Sequence, residues 1–140
     1  MKNMILFALS LAFASASAQA MPRVDISCQT TDSNEGTSLK FGVSRYSGDL
    51  YEDTVFYDDE DVHQVAAKSL AGFKNADGEL YLKFYEDFSH GGDIDLTGYK
   101  LNAKKSGQGW VGTLTFFQVV ANPGPEKNSK PRPVKCKFEE

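Results

Sequence analysis

Apolar and polar residues alternate along several stretches of this chain. In the clearest stretch, Leu80, Leu82 and Phe84 share one face, and polar or aromatic residues take the other. Segments 39–44 and 109–117 repeat the same two-residue period. Because the side chains of a β-strand point alternately to opposite faces, this period predicts strands with one buried face.

Turn-forming residues separate these segments at 75–78 (Asn-Ala-Asp-Gly), 104–109 and 122–126. Strands that alternate with short turns are typical of an antiparallel meander. We therefore predict an all-β, mostly antiparallel fold. It would be a small curled sheet of about seven or eight strands, closed into a barrel or folded into a sandwich.

The stretch before the turn at 75–78 allows two interpretations. A short helix around 61–71 would have Asp61 as its N-terminal cap. A strand would instead run through Val65, Ala67 and Ser69 into the turn. We favour the strand, because the residues that follow have the pattern of a hairpin.

Gly98 lies where the two-residue period changes phase. Ile94 and Leu96 share one phase, whereas Tyr99 and Leu101 share the other. A β-bulge at Gly98 would keep all of these apolar side chains on one side of the sheet. We therefore predict a bulge at this position.

Residues 1–20 have the three parts of a secretory signal peptide. Lys2 supplies a positive charge, residues 4–13 form an apolar run, and Ala-Gln-Ala at 18–20 matches the small-residue cleavage pattern. The apolar run is shorter than the roughly 20 residues that a membrane span needs. We predict a single secreted or periplasmic β domain, residues 21–140, with no membrane span after signal cleavage.

The two cysteines, Cys28 and Cys136, are the only ones in the chain. Cysteines of exported proteins commonly form disulfides. Val24 and Ile26 are in phase with Cys28, and Val134 is in phase with Cys136. Both cysteines should therefore point inward, and we predict a disulfide that joins the first strand to the last.

The chain is mildly acidic, with a formal net charge of −4. Its basic residues do not form the stripe that nucleic-acid-binding proteins usually show. The locally basic segment 127–137 contains two prolines and has the pattern of a loop that enters a strand. We therefore expect no nucleic-acid partner.

The loop at 87–95 has the residue types of a catalytic or metal site. It combines His90 with Asp87, Asp93 and Asp95. A histidine beside carboxylates can act in hydrolysis or bind a transition metal, so a hydrolase or a metal-dependent enzyme is one hypothesis. The chain has no nucleophile elbow and no phosphate-binding loop. We expect no catalytic residue, no metal and no cofactor.

Tyr81 and Tyr85 lie on either side of Lys83, on the face opposite Leu80. If that face is exposed, the two tyrosines form an amphipathic strip of the kind that is common at contact surfaces. If the sheet is covered on both faces, they are core or rim residues. Tyr81 and Tyr85, together with His90 and Asp93, are the predicted contact residues for a ligand or partner.

These observations favour a non-catalytic binding module for a protein or a small ligand, in the periplasm or outside the cell. An inhibitor of a secreted enzyme belongs to this class. A structural, envelope-associated protein without a specific ligand is a third hypothesis. Small barrels either hold one ligand or fill with side chains, so the state of the interior bears directly on the choice.

Overall fold

The computed structural model describes residues 23–33, 36–51, 55–58, 61–65, 69–120 and 124–139. The predicted signal peptide and its cleavage site lie outside these residues. The described elements are the β-strands β1 (Arg23–Thr30), β2 (Ser38–Ser44), β3 (Val55–Asp58), β4 (Val62–Val65), β5 (Leu70–Ala76), β6 (Glu79–Asp87), β7 (Asp95–Ser106), β8 (Gly109–Val120), β9 (Lys127–Asn128) and β10 (Arg132–Glu139).

The strands form one antiparallel sheet, in the order β4-β3-β2-β1-β10-β8-β7-β6-β5, with β9 paired to β8. The all-β, antiparallel prediction is confirmed. The predicted number of strands is wrong, because the sheet has ten strands rather than seven or eight. β1 and β10 are paired although they are the first and last strands. The other neighbouring strands follow one another closely in sequence, so most of the fold is a meander.

The sheet curls into a nearly closed barrel. Within the described residues its two edges are β4 and β5, and side chains bridge the gap between them. The rings of Phe41 on β2 and Phe73 on β5 lie 6.1 Å apart, edge to face. His63 Nδ1 on β4 lies 3.4 Å from Glu86 Oε1 on β6. Side-chain packing therefore closes the barrel where backbone hydrogen bonds do not.

The predicted disulfide is confirmed and joins Cys28 on β1 to Cys136 on β10. These two strands are neighbours, and the two cysteines are directly opposite each other in the register. Both side chains are almost completely buried. The bond therefore fastens the first strand of the domain to the last, inside the barrel.

Side chains fill the interior of the barrel. The buried apolar residues form one continuous cluster, to which nearly every strand contributes. Its members are Ile26, Cys28, Leu39, Phe41, Val43, Val55, Tyr57, Val65, Leu80, Leu82, Phe84, Tyr99, Leu101, Ala103, Trp110, Leu114, Val134 and Cys136. The three inward residues of β6 predicted from the alternation are among them.

The described part of the ambiguous segment before β5 contains no α-helix, although Ser69 itself has the geometry of a 3-10 turn. Val62–Val65 is a strand that pairs with β3, and Leu70–Ala76 is a strand that pairs with β6. The strand interpretation is correct in type, but it placed one strand where the structure has two, at opposite edges of the sheet. Ala67 lies outside the described residues.

The predicted β-bulge at Gly98 is wrong. β7 keeps one register through Gly98, which lies opposite Tyr85 on β6 and Phe117 on β8. A register shift does occur in the sheet, but it lies on β5, between Leu70 and Gly72.

The apolar residues that precede Gly98 face outward instead. Leu96 is opposite Val119, and Gly98 is opposite Phe117, whose ring is only 2% exposed on the outer face. Gly98 itself allows a close backbone approach, since an added Cβ would lie 2.7 Å from Tyr85 Cα. The change of phase at Gly98 therefore reflects apolar residues on the outer face of the sheet and a close approach of two strands. No extra residue is inserted in β7.

Candidate functional site

The connection between β6 and β7, here called the tip (residues 87–95), is a tight and well-defined turn. The His90 N–H donates to the Asp93 carbonyl and the Asp93 N–H donates to the His90 carbonyl, both at 3.0 Å. Gly91 and Gly92 between them have φ values of 59° and 93°. This backbone resembles the mirror-image turn typical of two-residue hairpins, which glycine adopts without steric cost.

Further hydrogen bonds hold the base of the tip. The Phe88 N–H donates to the Asp95 carbonyl at 2.8 Å. The Ser89 N–H donates to Asp87 Oδ1 at 2.9 Å, and the Asp95 N–H donates to Ser89 Oγ at 3.0 Å. The polar residues of this loop are therefore used to fix its backbone.

Phe88 projects from this fixed backbone and is 57% exposed. Val120, at the end of β8, is 48% exposed beside it. Together with His90, Asp93, Ile94 and Asp95, these two residues line a surface cavity of about 330 Å³. A rigid loop thus presents an apolar side chain among carboxylates, although exposing such a ring to water is unfavourable.

The tip contains the predicted contact residues His90 and Asp93, and both are exposed. Two of the three acids that the hydrolase hypothesis assigned to His90 have other contacts: Asp87 accepts the Ser89 N–H, and Asp95 Oδ1 accepts the Gln118 amide at 3.4 Å. Within the described part of the chain, no group of three or more His, Cys, Asp or Glu side chains could hold a metal ion.

Tyr81 and Tyr85 are half-buried on the outer face of β6, where Tyr85 lies two residues before the tip and Tyr81 lies four residues further back. Tyr81 lies over Gly72 on the neighbouring strand, where an added Cβ would be 3.0 Å from its ring. Seven residues separate Tyr81 from Phe88, which is about 23 Å along an extended strand. The structure therefore does not bring Tyr81 together with His90 and Asp93.

A charged cluster covers the outer face between these tyrosines. Lys83 Nζ donates to Glu126 Oε2 at 2.9 Å, and Lys100 Nζ donates to the other oxygen of the same carboxylate. Lys83 Nζ also lies 4.7 Å from the centre of the Phe117 ring. Glu126 thus holds the segment before β9 against the barrel and helps to cover the outer apolar face.

The ammonium groups of Lys100 and then Lys83 hold the pKa of Glu126 below its ordinary value of 4.5. A lowered folded-state pKa means that the interaction stabilises the fold above the unfolded-state pKa, about 4.3 for glutamate. This stabilisation disappears as the pH falls through the folded-state pKa. The contact of Glu126 with Lys83 and Lys100 therefore stabilises the fold at neutral pH and is lost in acid.

Glu126→Gln should lower the free energy of unfolding at pH 7 by about 1 kcal/mol, because it removes a charge shared by two lysines. The difference from wild type should vanish in acid, where Glu126 is protonated in both states. Urea unfolding at a series of pH values measures this. The matched control is Glu79→Gln, whose effect should be smaller because the Glu79–Lys74 pair is about half exposed on both sides. A pH-independent difference would contradict the assignment.

Phe88 is the residue of this site that sequence reasoning missed, together with its neighbour Val120. The available signal was an aromatic residue within an otherwise polar turn, between Asp87 and Ser89. Alternation assigns apolar residues to a strand face, and it gives no face to a residue in a turn.

Comparisons of the chain with protein-family models, with curated proteins and with solved structures gave no match. Across the described residues, no helix is long and apolar enough to cross a bilayer. The fold and the tip thus define the protein as an antiparallel barrel whose first and last strands are joined by a disulfide and whose tip carries an exposed aromatic residue.

Proposed function

We infer that this protein is a small exported binding module that recognises a protein partner through its tip. The observation that carries this proposal is Phe88, which is 57% exposed on a turn whose backbone is fixed by hydrogen bonds. The signal-like residues 1–20 and the disulfide support export.

An exposed aromatic side chain on a rigid loop has the properties of a binding anchor. Interface hot spots are enriched in large side chains that enter a pocket of the partner. A loop already held in one conformation loses little entropy when it binds. The hydrogen bonds that Asp87 and Ser89 make to the loop backbone keep Phe88 in position before any partner arrives.

The charges around Phe88 indicate the chemistry of the partner. Asp93 and Asp95 line the same cavity, and Asp87 lies next to Phe88 in the chain. Complementary charge speeds association and aligns the two surfaces. The fitting partner is therefore a protein with an apolar pocket surrounded by lysine or arginine, and an inhibitor-like insertion of the tip into such a pocket belongs to this class.

The filled interior favours a protein partner over a small ligand. Phe41, Phe84 and Leu101 are completely buried at the centre of the apolar cluster. Ligand-binding barrels need an internal cavity, whereas filled barrels bind through their surfaces. The interior thus serves as a scaffold for the tip.

A capture experiment tests the proposal. The full chain is immobilised and exposed to the secreted and periplasmic proteins of the cells that make it. We expect wild type to retain a specific protein and Phe88→Ala to lose it. Tyr46→Ala is the matched control, since Tyr46 is 80% exposed and lies in a different turn.

Tyr46→Ala should retain the same protein as wild type, because its ring lies outside the tip. Equal retention by wild type and both variants would overturn the assignment to the tip. Failure of wild type to retain any protein above the bare support would contradict the binding role itself.

A further inference from the structure

A concave site lies at the end of the barrel opposite the tip. The turns between β5 and β6 and between β7 and β8 lie at this end, as do the start of β1 and the end of β10. A surface cavity of about 300 Å³, here called the cup, is found there. β6 runs from this end to the tip over nine residues, which is about 26 Å, so the cup is separate from the tip.

The floor of the cup is apolar. Val24 on β1, Val43 on β2 and Phe138 on β10 line it, and each lies in the inward phase of its strand. Phe41, two residues before Val43, is completely buried, so the filled core begins one layer below the cup. The cup is therefore the open end of the barrel, beyond the part of the interior that side chains fill.

Hydrogen bonds fix the loop that forms one wall of the cup. The Ser44 N–H donates to the Asp49 carbonyl, and the Gly48 N–H donates to the Ser44 carbonyl, both at 2.8 Å. The side-chain amide of Asn75 on β5 donates to the Gly48 carbonyl at 3.3 Å. Ser44, Gly48 and Asn75 all line the cup. Its shape is therefore set before a ligand arrives, which lowers the entropy lost on binding.

Arg45 gives the cup a positive charge. The charged residues on the described lining are Arg45 and Glu139. Glu139 Oε2 lies 2.7 Å from Lys40 Nζ, so a cation on the outer face balances its charge. Within the part of the chain that the structure describes, no ion pair involves Arg45. Lys105 Nζ lies 5.5 Å from the centre of the Phe138 ring and places a second cation beside the cup.

We propose that the cup binds a small carboxylic acid with an apolar body, of the size of a short fatty acid. The apolar body packs against Val24, Val43 and Phe138. The carboxylate binds Arg45, because the N–H groups of a guanidinium match the two oxygens of a carboxylate. A volume of about 300 Å³ is that of about ten water molecules, which limits the ligand to a short chain. Apolar pockets with a few polar groups, including the mouths of β-barrels, are the usual sites for small molecules.

Isothermal titration of the full chain with octanoate tests the proposal. Octylammonium has the same apolar chain with the opposite charge, and acetate has the carboxylate without the chain. We expect octanoate to bind about tenfold more tightly than either. Arg45→Gln should weaken octanoate binding by about tenfold, because it removes the charged partner of the carboxylate. It should not weaken the binding of octylammonium.

The matched control is Lys127→Gln, which removes one positive charge opposite Gln118, near the other end of β8. It should leave the affinity for octanoate within about twofold of wild type, because salt screens a distant exposed charge. Phe88→Ala should also leave this affinity unchanged, so the test of the cup is independent of recognition through the tip. Arg45 and Lys127 are exposed, and unchanged melting temperatures will confirm that their variants fold.

Three results would overturn the proposal. The first is that wild type does not bind octanoate. The second is that octylammonium or acetate binds as tightly as octanoate. The third is an equal loss of octanoate affinity in Arg45→Gln and Lys127→Gln, which would show non-specific attraction.

Discussion

Replacing both cysteines, Cys28→Ala with Cys136→Ala, should lower the free energy of unfolding by about 4–5 kcal/mol. The bond closes a loop with a sequence separation of 108 residues, so its loss gives the unfolded chain much more conformational freedom. For a domain of this size the melting temperature should fall by roughly 15 °C. Thermal and urea unfolding of the two proteins measure both quantities.

Reduced wild-type protein is the control for the side-chain change itself. It should lose nearly as much stability as the double variant, because only the covalent bond has been removed. Far-UV circular dichroism below the transition should stay the same, since β1 and β10 remain paired by their backbones. A stability loss below about 1 kcal/mol would contradict a structural role for the disulfide.

Phe84→Ala should cost about 3–5 kcal/mol of stability. Phe84 is 0% exposed, and its ring centre lies 5.4 Å from that of Tyr57 and 6.0 Å from that of Tyr99. Its removal leaves a cavity in a filled interior. Equilibrium unfolding in urea measures the loss.

Phe88→Ala is the matched control, because the same substitution is made four residues later on an exposed ring. Its effect should stay within about 0.5 kcal/mol. Similar costs at both positions would mean that Phe88 is a structural residue. A small loss of stability in Phe84→Ala would mean that the barrel interior contains a cavity or repacks easily. Binding of a ligand in the interior would then become the better interpretation.

Alternation predicted the long strands and the inward direction of their apolar residues. Leu80, Leu82 and Phe84 are all buried on β6, as their period requires. The same reasoning predicted that Cys28 and Cys136 point inward from the first and the last strand, and these two strands are neighbours in the sheet. The period is reliable there because one face packs against a common core and the other does not.

The short strands escaped prediction for a physical reason. β3 and β4 have four residues each and β9 has two, which is too few to establish a period. These strands are set by pairing with longer neighbours. The change of phase at Gly98 was misread because Phe117 forms an outer apolar group that one strand alone does not reveal.

The candidate site was predicted only in part. Loop composition drew attention to His90 and Asp93, and both lie in the tip. Phe88 was missed because its exposure depends on the hydrogen bonds that fix the turn, and these bonds join residues from both ends of 87–95. Tyr81 was grouped with the tip residues although β6 holds it about 23 Å away.

The dissociation constant of the complex between the full chain and the retained protein tests most directly whether the tip is the recognition surface. A central anchor contributes about 2 kcal/mol or more, so Phe88→Ala should raise this constant by about 30-fold or more. Tyr46→Ala should leave it unchanged. A constant unaffected by Phe88→Ala, or raised equally by both substitutions, would contradict recognition through the tip.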